Sequence, residues 1–173
     1  MTAAADMQPI ERVDGRELRD TFGCFPTGVT ALCALGENGP DGMSASAFTA
    51  ASLEPPLVTV CVQKTSTTWP RLRQRAHIGV SILAAGQEAT CRSLSAKKAE
   101  RFAGVAWEAS DSGAVFVAGA VSWLDCVVHD EVDAGDHIIV LLRIQRLCSA
   151  LETPPLVFHG SRFRRLADAV VLG

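Results

Sequence analysis

The sequence predicts a mainly β protein, a β-barrel carrying short peripheral helices. Three observations lead there. Residues 57–63 alternate with a two-residue period, Val58, Val60 and Val62 on one side and Thr59, Cys61 and Gln63 on the other. Two long strand-like runs, 115–128 and 137–147, are placed to pair across a polar turn within 130–136. Helical patterns are few and short, so the strands are not separated by the long crossovers that βαβ units require.

Along the chain, Asp14 is suited to cap a first helix, with Glu17 in the capping-box position and Val13 placed to pack on Leu18. That helix should end near Gly23. Residues 29–35 alternate as a strand and meet Gly36-Glu37-Asn38-Gly39-Pro40-Asp41-Gly42, a composition that favours a turn. The glycine spacing is not Gly-x-Gly-x-x-Gly, and residues 44–52 do not read as an amphipathic helix, which argues against a Rossmann site. After the strand at 57–63, Pro70 suits a first helical turn and predicts a helix from Thr68 or Trp69 to about Arg75. Residues 78–83 read as a strand. Helical stretches are expected over 87–94 and 96–102, the second capped by Ser95. The two long runs follow, and residues 156–159 should add a closing strand.

The 173 residues suit one domain. Sixteen Lys and Arg against nineteen Asp and Glu leave a net charge of −3, which supplies no broad attraction for nucleic acid or anionic lipid. The basic clusters Arg71, Arg73 and Arg75, Lys97, Lys98 and Arg101, and Arg162, Arg164 and Arg165 read as solvated faces, with Arg101 singled out as a ligand candidate. The longest purely aliphatic run, 138–142, is too short to cross a bilayer, and the first residues lack the basic start of a secretory signal. A soluble, cytoplasmic protein is therefore expected. Cys24, Cys33, Cys61, Cys91, Cys126 and Cys148 are scattered without a Cys-x-x-Cys pair, so no metal site is expected and the thiols read as reduced and mostly buried. With 48% hydrophobic and 20% charged residues, the chain should have a large core or hide apolar surface in a partner, as a dimer would.

The segment from Asp41 to Thr68 carries the most chemistry. Gly42-Met43-Ser44-Ala45-Ser46-Ala47-Phe48 offers compact side chains and bare backbone amides to a flat heterocycle. Lys64-Thr65-Ser66-Thr67-Thr68 offers hydroxyls and amides beside a helix start, where anions are held. A ligand with both a ring and a phosphate fits, and flavin is such a ligand. The same hydroxyls would also serve as ordinary helix caps. His137 reads either as a structural histidine opening an apolar strand or as a ligand contact, and Thr27-Gly28 either as a tight strand entrance or as part of a site. No Gly-x-Ser-x-Gly elbow places a serine beside Asp136-His137, so hydrolysis is set aside.

This order of motifs resembles the flavin reductase family that supplies reduced flavin to two-component monooxygenases. The resemblance continues through Arg101-Phe102-Ala103-Gly104, Trp123-Leu124-Asp125-Cys126, Gly135-Asp136-His137, and Pro155-Leu156-Val157 with Phe163 after it. It marks out a reductase-like domain at 22–166, preceded by an N-terminal segment and helix at 1–21 and followed by a tail at 167–173. It implies a split β-barrel of the FMN-binding type, forming a homodimer with flavin near the subunit interface. It further implies hydride transfer from NADH or NADPH to FMN or FAD, with a separate flavin-dependent oxygenase receiving the product. By the same resemblance, Ser44, Ala45, Ser46, Ala47 and Phe48 lie along the flavin ring, and Lys64, Thr65, Ser66 and Thr67 at its ribityl phosphate. Thr27, Gly28 and Arg101 then fall near the cofactor, and His137 positions the nicotinamide without transferring a proton. Catalysis of this kind is a matter of geometry, since the flavin itself accepts the hydride. The chain departs from the family pattern at Ala47, where a hydroxyl or amide is frequent, at Leu142, where glycine is, and at Phe163, where tyrosine is. A split-barrel module that retains flavin without reducing it as a free substrate is the alternative reading.

Overall fold

A computed structural model describes residues 7–97 and 100–166; the tail expected at 167–173 lies outside them. In chain order the elements are α1 (Gly15–Phe22), β1 (Thr27–Gly28), β2 (Thr30–Gly36), β3 (Gly39–Ala45), β4 (Phe48–Leu53), β5 (Pro56–Gln63) and α2 (Trp69–Leu72). They continue with β6 (Ile78–Ile82), α3 (Glu88–Ser95), β7 (Trp107–Ala109), β8 (Val115–Val117), β9 (Ser122–Ala134), β10 (His137–Ser149), β11 (Val157–His159) and β12 (Arg162–Arg164). Asp14 caps α1 by accepting the backbone N–H of Arg16 and of Glu17, each at 2.8 Å. Glu17 accepts from Gln8 Nε2 at 3.4 Å.

Seven strands form one antiparallel sheet in the order β3-β2-β6-β9-β10-β5-β4. The sheet curls until β3 packs near β5, yet among the described residues its two edges, β3 and β4, have no further strand partner. This is a split barrel. Its interior is filled by alternate residues of each strand, among them Leu32, Val58, Val60, Val62, Val80, Leu124, Val140 and Leu142. The expected alternation of β5 is thus met, with its three valines inside. The opposite side of β2 is buried as well. Ala31 and Cys33 join Leu83, Leu94, Val115, Val117 and Leu156 in a second core beneath α3 and β8. Two covered faces explain why Thr30, Ala31, Leu32, Cys33 and Ala34 are all buried. Burial pushes the Cys33 thiol up, and it pushes that of Cys126 up to about 12, so both remain protonated hydrophobes.

Two contacts hold β8 and β9 in place. Gly79 on β6 lies so close to β8 that a Cβ there would stand 2.1 Å from the Val115 carbonyl oxygen. Asp125 on β9, with its side chain 4% exposed, meets His77 Nδ1 at 2.6 Å and Arg146 Nη2 at 2.8 Å, and accepts from Ser112 Oγ at 2.9 Å. Burial pushes its carboxyl up, but the hydrogen bonds from His77, Arg146 and Ser112 outweigh that and hold it below the ordinary value of 3.8. A depressed native pKa adds stability that is complete above the unfolded-state value and lost as pH falls through the native one. Asp125→Asn should therefore cost about 2 kcal/mol at neutral pH. Urea unfolding at stepped pH should show the wild-type protein losing that margin below about pH 4, where the variant has none to lose.

Several expectations need correction. The turn after β2 is only Glu37 and Asn38, because Gly39, Pro40, Asp41 and Gly42 pair with β2 as part of β3. The helix at Trp69 is a single turn, ending at Leu72 rather than Arg75. The second helix expected at 96–102 is not seen among the described residues of that span: Arg101 and Phe102 lie in a turn, and Ser95 donates to Cys91 O instead of capping. Residues 115–128 are two strands, not one. Strand β9 runs to Ala134, so the hairpin turn shrinks to Gly135, at φ 64, and Asp136. Residues 157–159 do not close the barrel; β11 pairs with β1 and β12 in a separate three-stranded sheet. Only Cys33, Cys91 and Cys126 are buried; Cys61 is half-buried and Cys24 and Cys148 are exposed. Among the described residues no helix is long and apolar enough to cross a membrane, and no His, Cys, Asp and Glu cluster is arranged to hold a metal.

Candidate functional site

Small residues between β3 and β4 form one wall of the site. Ser44 Oγ lies 2.5 Å from Ser95 Oγ and 3.3 Å from Cys91 O, tying the end of β3 to α3. Ala47 O accepts from Cys61 N at 3.1 Å, tying the other end of the segment to β5. The wall is therefore held by neighbours on both sides, with little side-chain bulk in front of it.

The hydroxyl turn between β5 and α2 forms a second wall. Short helix α2 is clamped from two directions. Arg71 grips Asp41 of β3 with Nε and Nη2 at 2.6 and 3.0 Å, while Arg73 Nη2 and Trp69 Nε1 reach Glu131 of β9 at 2.9 and 2.8 Å. Arg71 and Arg73 are thus ion-paired braces rather than a solvated face. Ser66 Oγ accepts the backbone N–H of Thr68 at 3.3 Å and of Trp69 at 3.2 Å, so this serine caps the helix, as the plainer reading of the cluster expected. Ser66 N donates to Gln63 O and Lys64 N to Asp136 O. Among the described residues, the N–H groups of Thr65 and Thr67 have no protein acceptor. One helical turn has too little dipole to bind an anion, so anion binding here falls to these amides and hydroxyls.

His137 opens β10 opposite Gln63, with Ile139 opposite Cys61. Directly paired residues share a face, so His137 stands on the side of the sheet that carries Cys61 and Gln63. Its Nδ1 lies 2.7 Å from Asp136 Oδ1, a hydrogen bond that pulls the Asp136 carboxyl below its ordinary value. With Nδ1 donating, Nε2 is the nitrogen left for a ligand.

These walls enclose a cleft of about 870 Å³. It brings together Ser44, Ala45, Ser46 and Ala47, then Thr65, Ser66 and Thr67, and finally Arg101 and His137. Other candidates lie elsewhere. Phe48 packs against the barrel core, and Lys64 pairs with Asp133 at 3.0 Å, outside the cleft lining. Arg101 does line the cleft but spends its donors on protein: Ala96 O at 2.7 Å, Gly42 O at 3.0 Å and the Thr68 hydroxyl. It braces the wall. Thr27 and Gly28 pair with Phe158 and Val157 in the small sheet, which matches a strand entrance. Thr27 Oγ1 is buried without a hydrogen-bond partner among the described residues. Thr27→Val should accordingly raise stability by roughly 1 kcal/mol in denaturant titrations and leave ligand affinity unchanged.

Sequence reasoning named Met43 and Thr68 within the two segments but not as site residues, and it missed Gln63 and Ser95; all four line the cleft. Gln63 had a signal, since it falls on the outward side of the β5 alternation. The others are lined up by contacts 20 or more residues apart, such as Ser66 Oγ against Met43 Sδ and Arg101 against Thr68.

Comparison with known proteins places this architecture. A family model described as flavin reductase like domain matches residues 22–167. The NADH-dependent FAD reductase of Streptomyces globisporus is 39% identical, over 92% of this chain and 91% of that protein. The reductase subunit of a flavin-dependent monooxygenase from Rhodococcus jostii is 33% identical, over 88% of this chain and 78% of its own length. Among solved structures, the Streptomyces globisporus NADH:FAD oxidoreductase in complex with NAD and FAD fragments superposes with a TM-score of 0.86, covering 91% of this chain and 95% of that one. The extent of these matches, on a split barrel, shows that this chain belongs to the flavin reductase like domain family.

Proposed function

We propose that this chain is an NAD(P)H-dependent flavin reductase that passes reduced flavin to a separate flavin-dependent monooxygenase. The observation that carries this reading is the convergence of the small-residue wall, the hydroxyl turn and His137 on one cleft, in a chain of this family. The lining fits a flavin mononucleotide unit. The segment at Ser44, Ala45, Ser46 and Ala47 gives a flat ring room and backbone polar groups, while Thr65 and Thr67 give a phosphate two unpaired amides and two hydroxyls. Bound flavin supplies the hydride chemistry, accepting it from the nicotinamide. Ser66 holds the turn in shape, Arg101 and Arg71 brace its surroundings, and His137 orients the nicotinamide through Nε2.

The relatives named for NADH, FAD and monooxygenase partnership favour that donor, that acceptor and that destination here. A homodimer is supported by the outer face of β5, β10 and β9. There Cys61, Ile139 and Val132 stand in register, and Val132 is 47% exposed, an apolar strip that a second copy would cover. Six free cysteines agree with a reducing, cytoplasmic setting.

Purified protein should accelerate loss of nicotinamide absorbance when FMN or FAD is added with NADH or NADPH, and no acceleration in any of the four combinations would refute the reading. A yellow preparation inert toward both nucleotides would favour the flavin-retaining module instead. His137→Ala should raise the KM for the nicotinamide nucleotide about tenfold, the loss of one oriented contact, while the flavin dissociation constant stays unchanged. Parallel steady-state and fluorescence titrations separate the two quantities.

A further inference from the structure

Met43 of β3 stands on the boundary between the barrel core and the main cleft. Its side chain packs against the core cluster that contains Leu32 and Val62, and it also lines the cleft beside Ser44, Ser66 and Thr67. The Ser66 hydroxyl donates to Met43 Sδ at 3.9 Å, while Ser66 Oγ accepts the Thr68 and Trp69 amides. One hydroxyl thus joins the cap of α2 to a thioether of β3. Sulfur is a weak acceptor, so this contact is soft and yields easily. Of the two methionines among the described residues, Met43 alone lines the cleft; Met7 is 81% exposed and stands outside that lining.

We propose that Met43 is a modification site, a methionine whose oxidation to the sulfoxide by hydrogen peroxide loosens the grip of the cleft on flavin. The proposal rests on the reading of the cleft as a flavin site. That reading also supplies the oxidant. Reduced flavin that meets dioxygen before it meets an oxygenase gives up two electrons and two protons, which returns it to oxidised flavin and forms hydrogen peroxide. Peroxide then passes one oxygen to the Met43 sulfur. The O–O bond breaks, an S–O bond forms and water leaves, so the sulfur loses two electrons and the peroxide gains them. A pliable apolar side chain becomes a polar, chiral one. Packing beside Leu32 and Val62 gives the new oxygen no hydrogen-bond partner, which drives it toward the cleft. There it is a strong acceptor beside the turn whose Thr65 and Thr67 amides are proposed to hold the flavin phosphate. Added bulk and competition for those donors both lower flavin affinity. The result is feedback: reduced flavin that goes unused makes the peroxide that slows its own production.

Wild-type protein and Met43→Leu are each incubated with dilute hydrogen peroxide and then with dithiothreitol. The thiol returns sulfenic acids and disulfides at the accessible Cys24, Cys61 and Cys148 to cysteine but leaves the sulfoxide in place. Peptide mass spectrometry locates the sulfoxide, and fluorescence titration compares the FMN dissociation constant of each protein with that of its own untreated sample. The wild-type constant should rise roughly tenfold as Met43 is converted, and methionine sulfoxide reductases should reverse the rise. The Met43→Leu constant should not change on treatment; leucine is close to methionine in volume, so this variant is expected to fold. Complete conversion of Met43 with FMN affinity intact would overturn the proposal, as would Met43 left unoxidised after Met7 has reacted fully. An equal rise in Met43→Leu would overturn it too, by assigning the effect to another residue. None of these readouts needs turnover. Protein that binds FMN and responds to peroxide as expected, yet oxidises neither NADH nor NADPH, would keep the modification site and lose only the reductase reading. Untreated protein that binds neither FMN nor FAD would overturn both.

Discussion

Ser66→Glu is expected to lower flavin affinity at least a hundredfold. Two effects combine. The hydroxyl that accepts from Thr68 N and Trp69 N is lost, which costs the one-turn helix about 1 kcal/mol of capping. A carboxylate is also placed in the turn proposed to hold the flavin phosphate. Two like charges roughly 4 Å apart near a protein surface repel by about 4 kcal/mol before side-chain relaxation. Ser66→Ala isolates the first effect and should weaken FMN only severalfold. Riboflavin, which has no phosphate, should bind Ser66→Glu and Ser66→Ala alike. Fluorescence titrations with FMN and riboflavin measure all four combinations, and a Ser66→Glu protein that binds FMN as Ser66→Ala does would disprove the placement of the phosphate.

Gly79→Ala should be the most damaging methyl that can be added to the barrel. The new Cβ would stand 2.1 Å from the Val115 carbonyl oxygen and 2.8 Å from its carbonyl carbon. Backbone, not a rotatable side chain, is in the way, so β6 and β8 must separate. Overpacking of this kind costs about 3 kcal/mol or more. Gly28→Ala is the matched control, since nothing lies within 4 Å of a Cβ there, and it should change stability by less than about 0.5 kcal/mol. Urea midpoints compare the two directly. Parting of β8 would also loosen the second core around Val115 and Val117, on which α3 rests through Cys91 and Leu94.

The parts of the fold that were legible in the sequence are those governed by neighbouring residues. Asp14 announced its helix because a cap acts over three residues, and the valines of β5 announced their strand because alternation acts over two. The order of motifs carried the flavin reading further than any single motif did. What stayed hidden depends on partners distant in the chain. Residues 96–102 have helical propensity, yet Arg101 is drawn into contacts with Gly42 and Thr68 that a continued helix does not make. Lys64 precedes four hydroxyl residues in sequence, but in space it pairs with Asp133.

The clamp on α2 has an evolutionary corollary. Asp41 and Arg71 are 30 residues apart and satisfy each other through two contacts, with the Asp41 side chain only 24% exposed. Change either alone and a half-sheltered charge is stranded, a more costly state than keeping or replacing both. Descendants of this protein should therefore inherit or abandon the two positions in step, and a lineage that trades the pair for apolar residues would keep its turn rigid by packing instead of by charge.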